Sequence, residues 1–269
     1  MKGIAWLQAL PFIGFHLALL ATPFFWPTPG LLLLCFASYL IRMFGITAGF
    51  HRYFSHRSYK LNRFNQFLLA FLGGTAFQKG ALWWAAHHRS HHRNADTAND
   101  VHSPLNGFWQ SHCLWFLTNK YDATEWSRIR DLERFSELCF LDRYHWLPGI
   151  LFGAVIIVFF GLPGLFWGFG VSTVLLWHGT FCINSLGHIF GRRRFNTADA
   201  SRNSLFLALI TLGEGWHNNH HRFMNSARQG FLWWEIDVTY YLLRLCERIK
   251  LVRDLKEPPI ELKKETSYA

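Results

Sequence analysis

Charge is scarce in this chain: 16% of its residues are Asp, Glu, Lys or Arg, against 51% hydrophobic and 18% aromatic. That balance is too greasy for an ordinary soluble enzyme and suits a chain that meets lipid. Acid is the scarcer sign, with 17 acidic residues against 27 basic ones, a net charge of +10. No zinc finger, RNA-binding signature or basic helix interleaved with polar residues accompanies the excess, which argues against nucleic acid as a partner. It reads instead as a positive face near anionic lipid headgroups. Cysteine is sparse and unpaired: Cys35, Cys113, Cys139, Cys182 and Cys246 are odd in number and contain no C-x-x-C. A disulfide framework and a thiolate metal site are both disfavoured. H-E-x-x-H, G-x-S-x-G and Walker motifs are absent, as are flexible linkers and low-complexity tracts.

What is present is apolar length. Four stretches compete for a bilayer: residues 4–26, 29–50, 147–160 and 165–189. A spanning helix needs roughly 20 mainly apolar residues, so the third is short. The first stretch follows Lys2 as a signal peptide would, but it runs on into Phe24-Phe25-Trp26 and a second span follows at once. The loops at 21–30 and 161–164 carry no charge, whereas Arg52, Arg57 and Lys60 follow the second stretch and Arg192, Arg193 and Arg194 the fourth. By the positive-inside rule both termini lie on the cytoplasmic side. We therefore expect an all-α integral membrane protein, one domain over 1–269, with a cytosolic helical cap from 51–146 and 190–269. Within the cap, 64–84 is interrupted by Gly73, Gly74, Gln78 and Lys79 and reads as a broken or re-entrant hairpin. Residues 94–106 read as loop, 121–143 as a polar helix, and 231–252 as an amphipathic helix.

Histidine is the other abundance. Three short stretches, 51–56, 88–92 and 217–221, hold eight imidazoles, and two of them repeat H-x-x-H-H. Residues three and four apart share a helix face, so each repeat should aim three imidazoles at one point. Neutral imidazole suits iron, copper or zinc. His51 and His56 are five apart and fall off a common face of an ideal helix, so His51 should end the second span with His56 reaching back. His188 closes the fourth span, and an imidazole there is costly unless paired or ligating. Nine histidines exceed the needs of one ion; two irons fit the count, and Asn184, one turn before His188, could hold a bound water. His16, His145 and His178 are isolated and read as structural. His87 points about 100° from His88 and should face elsewhere. His102 and His112 could support ligands from outside. Glu214-x-x-His217 is the only element of that kind, so a carboxylate-bridged bundle is not expected.

In order, GITAGFHRYFSH (45–56), HRSHH (88–92), NSLGH (184–188) and GEGWHNNHH (213–221) resemble the membrane-bound fatty acyl desaturases, most closely the Δ9 stearoyl-CoA branch. The resemblance implies four transmembrane helices, a cytosolic cap and a di-iron centre. Its ligands would be His51, His56, His88, His91, His92, His188, His217, His220 and His221, with Asn184 acting through water. It also implies a bent tunnel for the acyl chain, with Gln78, Trp84 and Thr180 at the bend and Tyr39 and Met43 near its far end. Met43 stands where many relatives have a smaller residue, which implies chains no longer than palmitoyl. The resemblance implies a cis double bond at Δ9, made with O2 as co-substrate, in an acyl-CoA chain, with an acyl-lipid chain as the alternative. Three departures stand out: little sequence precedes the first span, His87 replaces a common acidic residue, and Phe181 replaces a tryptophan. No His-Pro-Gly-Gly haem signature occurs, so electrons are expected from a separate ferredoxin, rubredoxin or cytochrome b5-type donor. Two rivals share the metal chemistry: a fatty acyl hydroxylase and a metal-transporting or metal-sensing membrane protein. A transporter would place its ligands near mid-bilayer, whereas these gather at the ends of spans. The short chain suggests a bacterial inner membrane.

Overall fold

The computed structural model describes residues 4–259, and every regular element among them is helical. The chain termini, expected on the cytoplasmic side, lie outside the described residues. Helices run in order α1 (Trp6–Ala18), α2 (Pro29–Phe44), α3 (Arg63–Gly74), α4 (Ala81–Asn94), α5 (Arg130–Glu133), α6 (Ser136–Arg143) and α7 (Leu147–Gly164). They continue with α8 (Ser172–Ser185), α9 (Leu205–Ile210), α10 (His217–Arg222) and α11 (Val238–Arg248). Side-chain caps set several starts. Thr28 Oγ1 accepts from the Leu31 amide with Pro29 in the first turn, Asn62 Oδ1 accepts from Asn65, and Asp237 Oδ1 from Tyr240.

Among the described residues three helical runs are long and apolar enough to cross a membrane: Trp6–Phe24, Pro29–Ser55 and Leu147–His188. The last is continuous where two stretches were expected, but it turns back on itself at Gly161, whose φ of +64° favours glycine. Phe169 then packs on Phe152, and Gly168 lies beside Ile156, so the two arms run antiparallel. The second run also departs from expectation. It does not end at residue 50 but continues to Ser55 as a wide helix over Gly45–Ser55 of the π type, in which each turn takes in more than four residues.

Two buried arginines tie the assembly together. Arg42 donates to Ser38 O, Thr75 O, Thr173 Oγ1 and Ser172 Oγ, joining α2 to α8 and to the turn after α3. Arg52, expected among the charges facing headgroups, is instead fully enclosed and paired with Glu214 and Asp237. Its charge is spent inside the protein, linking the wide helix to the segment before α10.

The cap is less regular than its sequence pattern. The break in 64–84 is present, with α3 ending at Gly74 and α4 starting at Ala81. The expected helix over 121–143 is a series of short turns and the brief α5 and α6, because polar pairs such as Arg89–Asp131 and Thr124–Asp142 take the place of helical continuity. Helix α11 covers only Val238–Arg248 of 231–252, since Glu235 Oε2 accepts from the Phe231 and Leu232 amides and Asp237 caps the helix start.

Candidate metal centre

The wide helix settles the spacing of the first pair. The His56 amide donates to His51 O, five residues back, and the two rings lie 4.9 Å apart, centroid to centroid. Five residues are off-face on an α-helix and on-face on this one. Helix α4 brings His88, His91 and His92, α10 brings His217, His220 and His221, and His188 follows α8 in a single tight turn.

These nine side chains form two groups. His51, His56, His88, His92 and His220 make one, and His91, His188, His217 and His221 the other; within each the ligand atoms lie within 4.8 Å of one another. The expectation that each H-x-x-H-H box aims at one point is therefore corrected. In each box the i, i+4 pair goes to one group and the middle histidine to the other: His88 and His92 against His91, His217 and His221 against His220. The exchange follows from geometry, because residues three and four apart lean to opposite sides of the helix stripe, and α4 and α10 face each other across the site. The groups are neighbours, with His92 and His221 rings 4.5 Å apart.

The Nε2 atoms converge. His51–His220, His56–His88, His88–His92 and His92–His220 stand 2.9–3.0 Å apart, and His188–His217 and His217–His221 3.0–3.1 Å. In four of the nine, Nδ1 meets a carboxylate: Glu214 for His51, Asp100 for His91 at 2.9 Å, Asp96 for His188 at 2.8 Å and Asp199 for His221 at 3.0 Å. Donating Nδ1–H leaves the Nε2 lone pair bare. Bare lone pairs crowded this closely repel unless a cation lies between them, and the buried Nε2 of His91 has no hydrogen-bond partner. Burial first, and the neighbouring imidazoles second, hold His56, His88, His92, His217 and His220 far below the usual histidine range, and His221 is pushed down to about 4. These six imidazoles are neutral at pH 7, the form that binds metal. On donor type, protonation and convergence, each group fits one metal ion.

The carboxylates were not legible in the sequence. Asp96, Asp100 and Asp199 lie in loops with no motif, and only their distance in the fold reveals them. Burial raises the Asp100 carboxyl, but the hydrogen bond from His91 and the nearby imidazoles outweigh it and hold it below the usual carboxylate range. Glu214, set aside with the carboxylate-bundle reading, serves His51 and Arg52. The two asparagines inside 217–221 brace α10: Asn218 Oδ1 accepts from the Arg194 and Phe195 amides, and Asn219 donates to Glu235 and to Gln229 O.

The remaining histidines stand apart from the two groups. His87 turns away, its Nδ1 2.9 Å from Trp83 O. His102 stacks on His91 at 4.2 Å. His16, His178 and His112 form a chain, 2.9 Å at each histidine link, that ends on Ser185 Oγ at 3.0 Å. His145 lines the cavity described next.

A cavity of about 400 Å³ runs to the first group, lined by His88 and Asn184 at its inner end. Its walls are mainly aromatic, among them Phe12, Trp83, Trp115, Trp177 and Phe181. A smaller one, about 30 Å³, continues past the metal groups between Met43, Ile46, His51, Glu214 and His217. Trp84, His88, Thr180 and Asn184 line both. Gln78 donates to Thr180 Oγ1 at 3.0 Å, closing one wall beside that junction, and Trp84 stacks on His88 at 4.7 Å. Met43 lines the smaller cavity. Tyr39 lines neither; its hydroxyl donates to Ile210 O and reaches against Gly179, where a β-carbon would lie 2.6 Å from the Tyr39 oxygen and 3.1 Å from Met43 Cε.

An aromatic-lined cavity thus leads to the paired histidine groups, and the family model for fatty acid desaturases matches residues 5–256. The chain belongs to the fatty acid desaturase family. Among curated relatives, it is 40% identical over 261 residues to an acyl-CoA C20 Delta5-desaturase of Anemone leveillei, covering 95% of this chain and 83% of the relative. It is 35% identical to an sn-2 palmitoyl-lipid 9-desaturase of Nostoc sp. (strain 36), covering 95% and 92%. To Delta-9 acyl-lipid desaturase 1 of Arabidopsis thaliana it is 38% identical, covering 96% and 85%. The relatives of this desaturase thus differ in both double-bond position and carrier.

Proposed function

We propose that this desaturase introduces a cis double bond at Δ9 into a saturated acyl chain no longer than palmitoyl, with two irons, O2 as co-substrate and an external ferredoxin, rubredoxin or cytochrome b5-type donor. The observation that carries the reading is the pair of imidazole groups set where the two cavities meet. His51, His56, His88, His92 and His220 would hold one iron, and His91, His188, His217 and His221 the other, with Asn184 acting through water. When bound, the irons supply the oxidising power needed to remove hydrogen from unactivated methylenes, which offer no acid–base handle. The protein supplies position and dryness. Trp84 and the Gln78–Thr180 bridge form the walls where the chain must bend, which favours a cis product. Met43 limits how far the methyl end can extend beyond the metals. The aromatic lining keeps water from the site and so protects the oxidant.

The membrane reading goes with it. Four crossings are the runs 6–24 and 29–55 and the two arms of 147–188, with the cap and the metal groups on the cytoplasmic face of a bacterial inner membrane. The uncharged turns at 21–30 and 161–164 support that orientation. The relatives divide between CoA and lipid carriers, so the carrier is decided by this chain's own cavity mouth.

Mass spectrometry of membrane lipids, with double-bond location, from cells expressing the wild type and His220→Ala tests the reading. A new cis-Δ9 monoene seen only with the wild type is expected. Hydroxylated chains in its place would move the chemistry to a hydroxylase.

A further inference from the structure

We infer that this desaturase draws its acyl chain from a glycerolipid of the bilayer, through a side mouth between the first turns of α1 and Trp146, and not from a CoA thioester in water. The inference rests on the desaturase reading and names its substrate carrier.

Of the residues lining the larger cavity, Pro11 of α1 and Trp146 are exposed, with Gln8, Lys79 and His145 half-buried, and this sets the mouth between α1 and Trp146. Both flanks of that opening are candidate spans with apolar side chains turned outward. On α1, Leu7 is 85% and Leu10 58% exposed; beside Trp146, which is 44% exposed, Ile150 of α7 is 51% exposed. On helices long and apolar enough to cross a membrane such faces suit lipid, which puts the opening between them at the bilayer's edge. A chain entering here passes from hydrocarbon to an aromatic wall without crossing water, which loses no hydrophobic stabilisation on the way.

The charge at the rim points the same way. Among the described residues Lys79 is the only Lys, Arg, Asp or Glu lining this cavity, and it is paired with Asp122. Asp142 adds an acid next to it, accepting from the Trp83 amide and Thr124. In the flanking segment Arg128 is paired with Glu125, and Lys120 lies over the Tyr121 ring. Arg143, just before His145 and Trp146, lies over the Tyr144 ring, so among the described residues Lys120 and Arg143 are the two cations left there without an acidic partner, against Asp142 as an acid without a cation. CoA presents three phosphate groups, whose recognition calls for several unpaired cations or backbone amides. A near-neutral rim suits a zwitterionic or uncharged headgroup, whose binding needs no such cluster. Of the basic run 192–194, Arg193 donates to the Thr197 and Asp199 carbonyls and the Arg194 guanidinium reaches toward Glu235.

The full-length, iron-loaded desaturase decides between carriers in two parallel assays with one reduced ferredoxin. One uses vesicles of 1-oleoyl-2-palmitoyl-phosphatidylcholine; the other uses dioleoyl vesicles given palmitoyl-CoA. Purified enzyme cannot move acyl groups between carriers, so each product reports its own substrate. Lipid turnover at least ten-fold faster than CoA turnover is expected. CoA turnover equal to or faster than lipid turnover overturns the inference and leaves the desaturase reading standing. Turnover of neither carrier by the iron-loaded, reduced protein sinks both. Pro11→Trp, which narrows the mouth, should lower lipid turnover at least five-fold with iron content unchanged. Undiminished lipid turnover in that variant would place the entry elsewhere.

Discussion

The two imidazole groups sit side by side yet are held in different ways. The five-membered group has one carboxylate behind it, Glu214, and that carboxylate is shared with Arg52. The four-membered group has three of its own, Asp96, Asp100 and Asp199. A carboxylate behind a histidine fixes its tautomer and makes it a stronger donor. One group therefore relies on the number of nitrogens and the other on the strength of each. Their surroundings differ too. His88 and His51 of the larger group line the cavities, and Trp84 stacks on His88; from the smaller group only His217 reaches a cavity wall. The larger group faces the cavities and the smaller is anchored in the loops of the cap.

The largest effects should come from removing one ligand of each kind. His220→Ala and His91→Ala are each expected to lower turnover on the order of a hundred-fold or more, since loss of outer-shell support alone costs 10–100-fold. Iron analysis should show a loss in both; full iron and full activity in either would remove that residue from its group. The comparison sharpens with Asp199→Asn. About a 10–100-fold weakening of iron binding is expected from a metal titration, confined to the four-membered group. Equal loss from both groups would mean that the carboxylates act on the whole site.

Met43→Ala should leave iron untouched and lengthen the accepted chain. Competition between C16 and C18 chains should shift toward C18 by about ten-fold, the scale of discrimination set by a methylene or two in an apolar pocket. An unchanged ratio would show that Met43 does not close the cavity.

The smallest effect is on the pH dependence of the metal-free fold. Burial, with His178 adding to it, pushes His112 down to about 4, and burial does the same to His145. Below about pH 6.5 the unfolded chain takes up protons that these folded groups refuse. Their cost to stability is therefore absent above about 6.5 and grows as pH falls toward 4, by about 1.4 kcal/mol per pH unit for each group. Thermal melts of the metal-free protein should track this, and His112→Asn should make the slope shallower. An unchanged slope would mean that His112 titrates alike in both states.

Much of this was legible in the residues. Eight of the nine histidines announced themselves by clustering and His188 by closing an apolar span, and the apolar runs 4–26 and 29–50 by length. Met43 and the Gln78–Thr180 pair were reached only through the resemblance. Other parts were hidden. The sharing of each H-x-x-H-H box between two groups depends on which way α4 and α10 face each other. The reach of His56 depends on a wide helix that no spacing rule favours, and the burial of Arg52 on two acids more than 160 residues away.

The sequence by itself determined the donor chemistry, the membrane-scale apolar segments and the family, because residue type, clustering and hydrophobic length are local properties of the chain. Only the tertiary structure decided which imidazoles share an ion, which carboxylates stand behind them and where the cavity opens. Those depend on distances between segments far apart in sequence, set by packing that no single segment encodes.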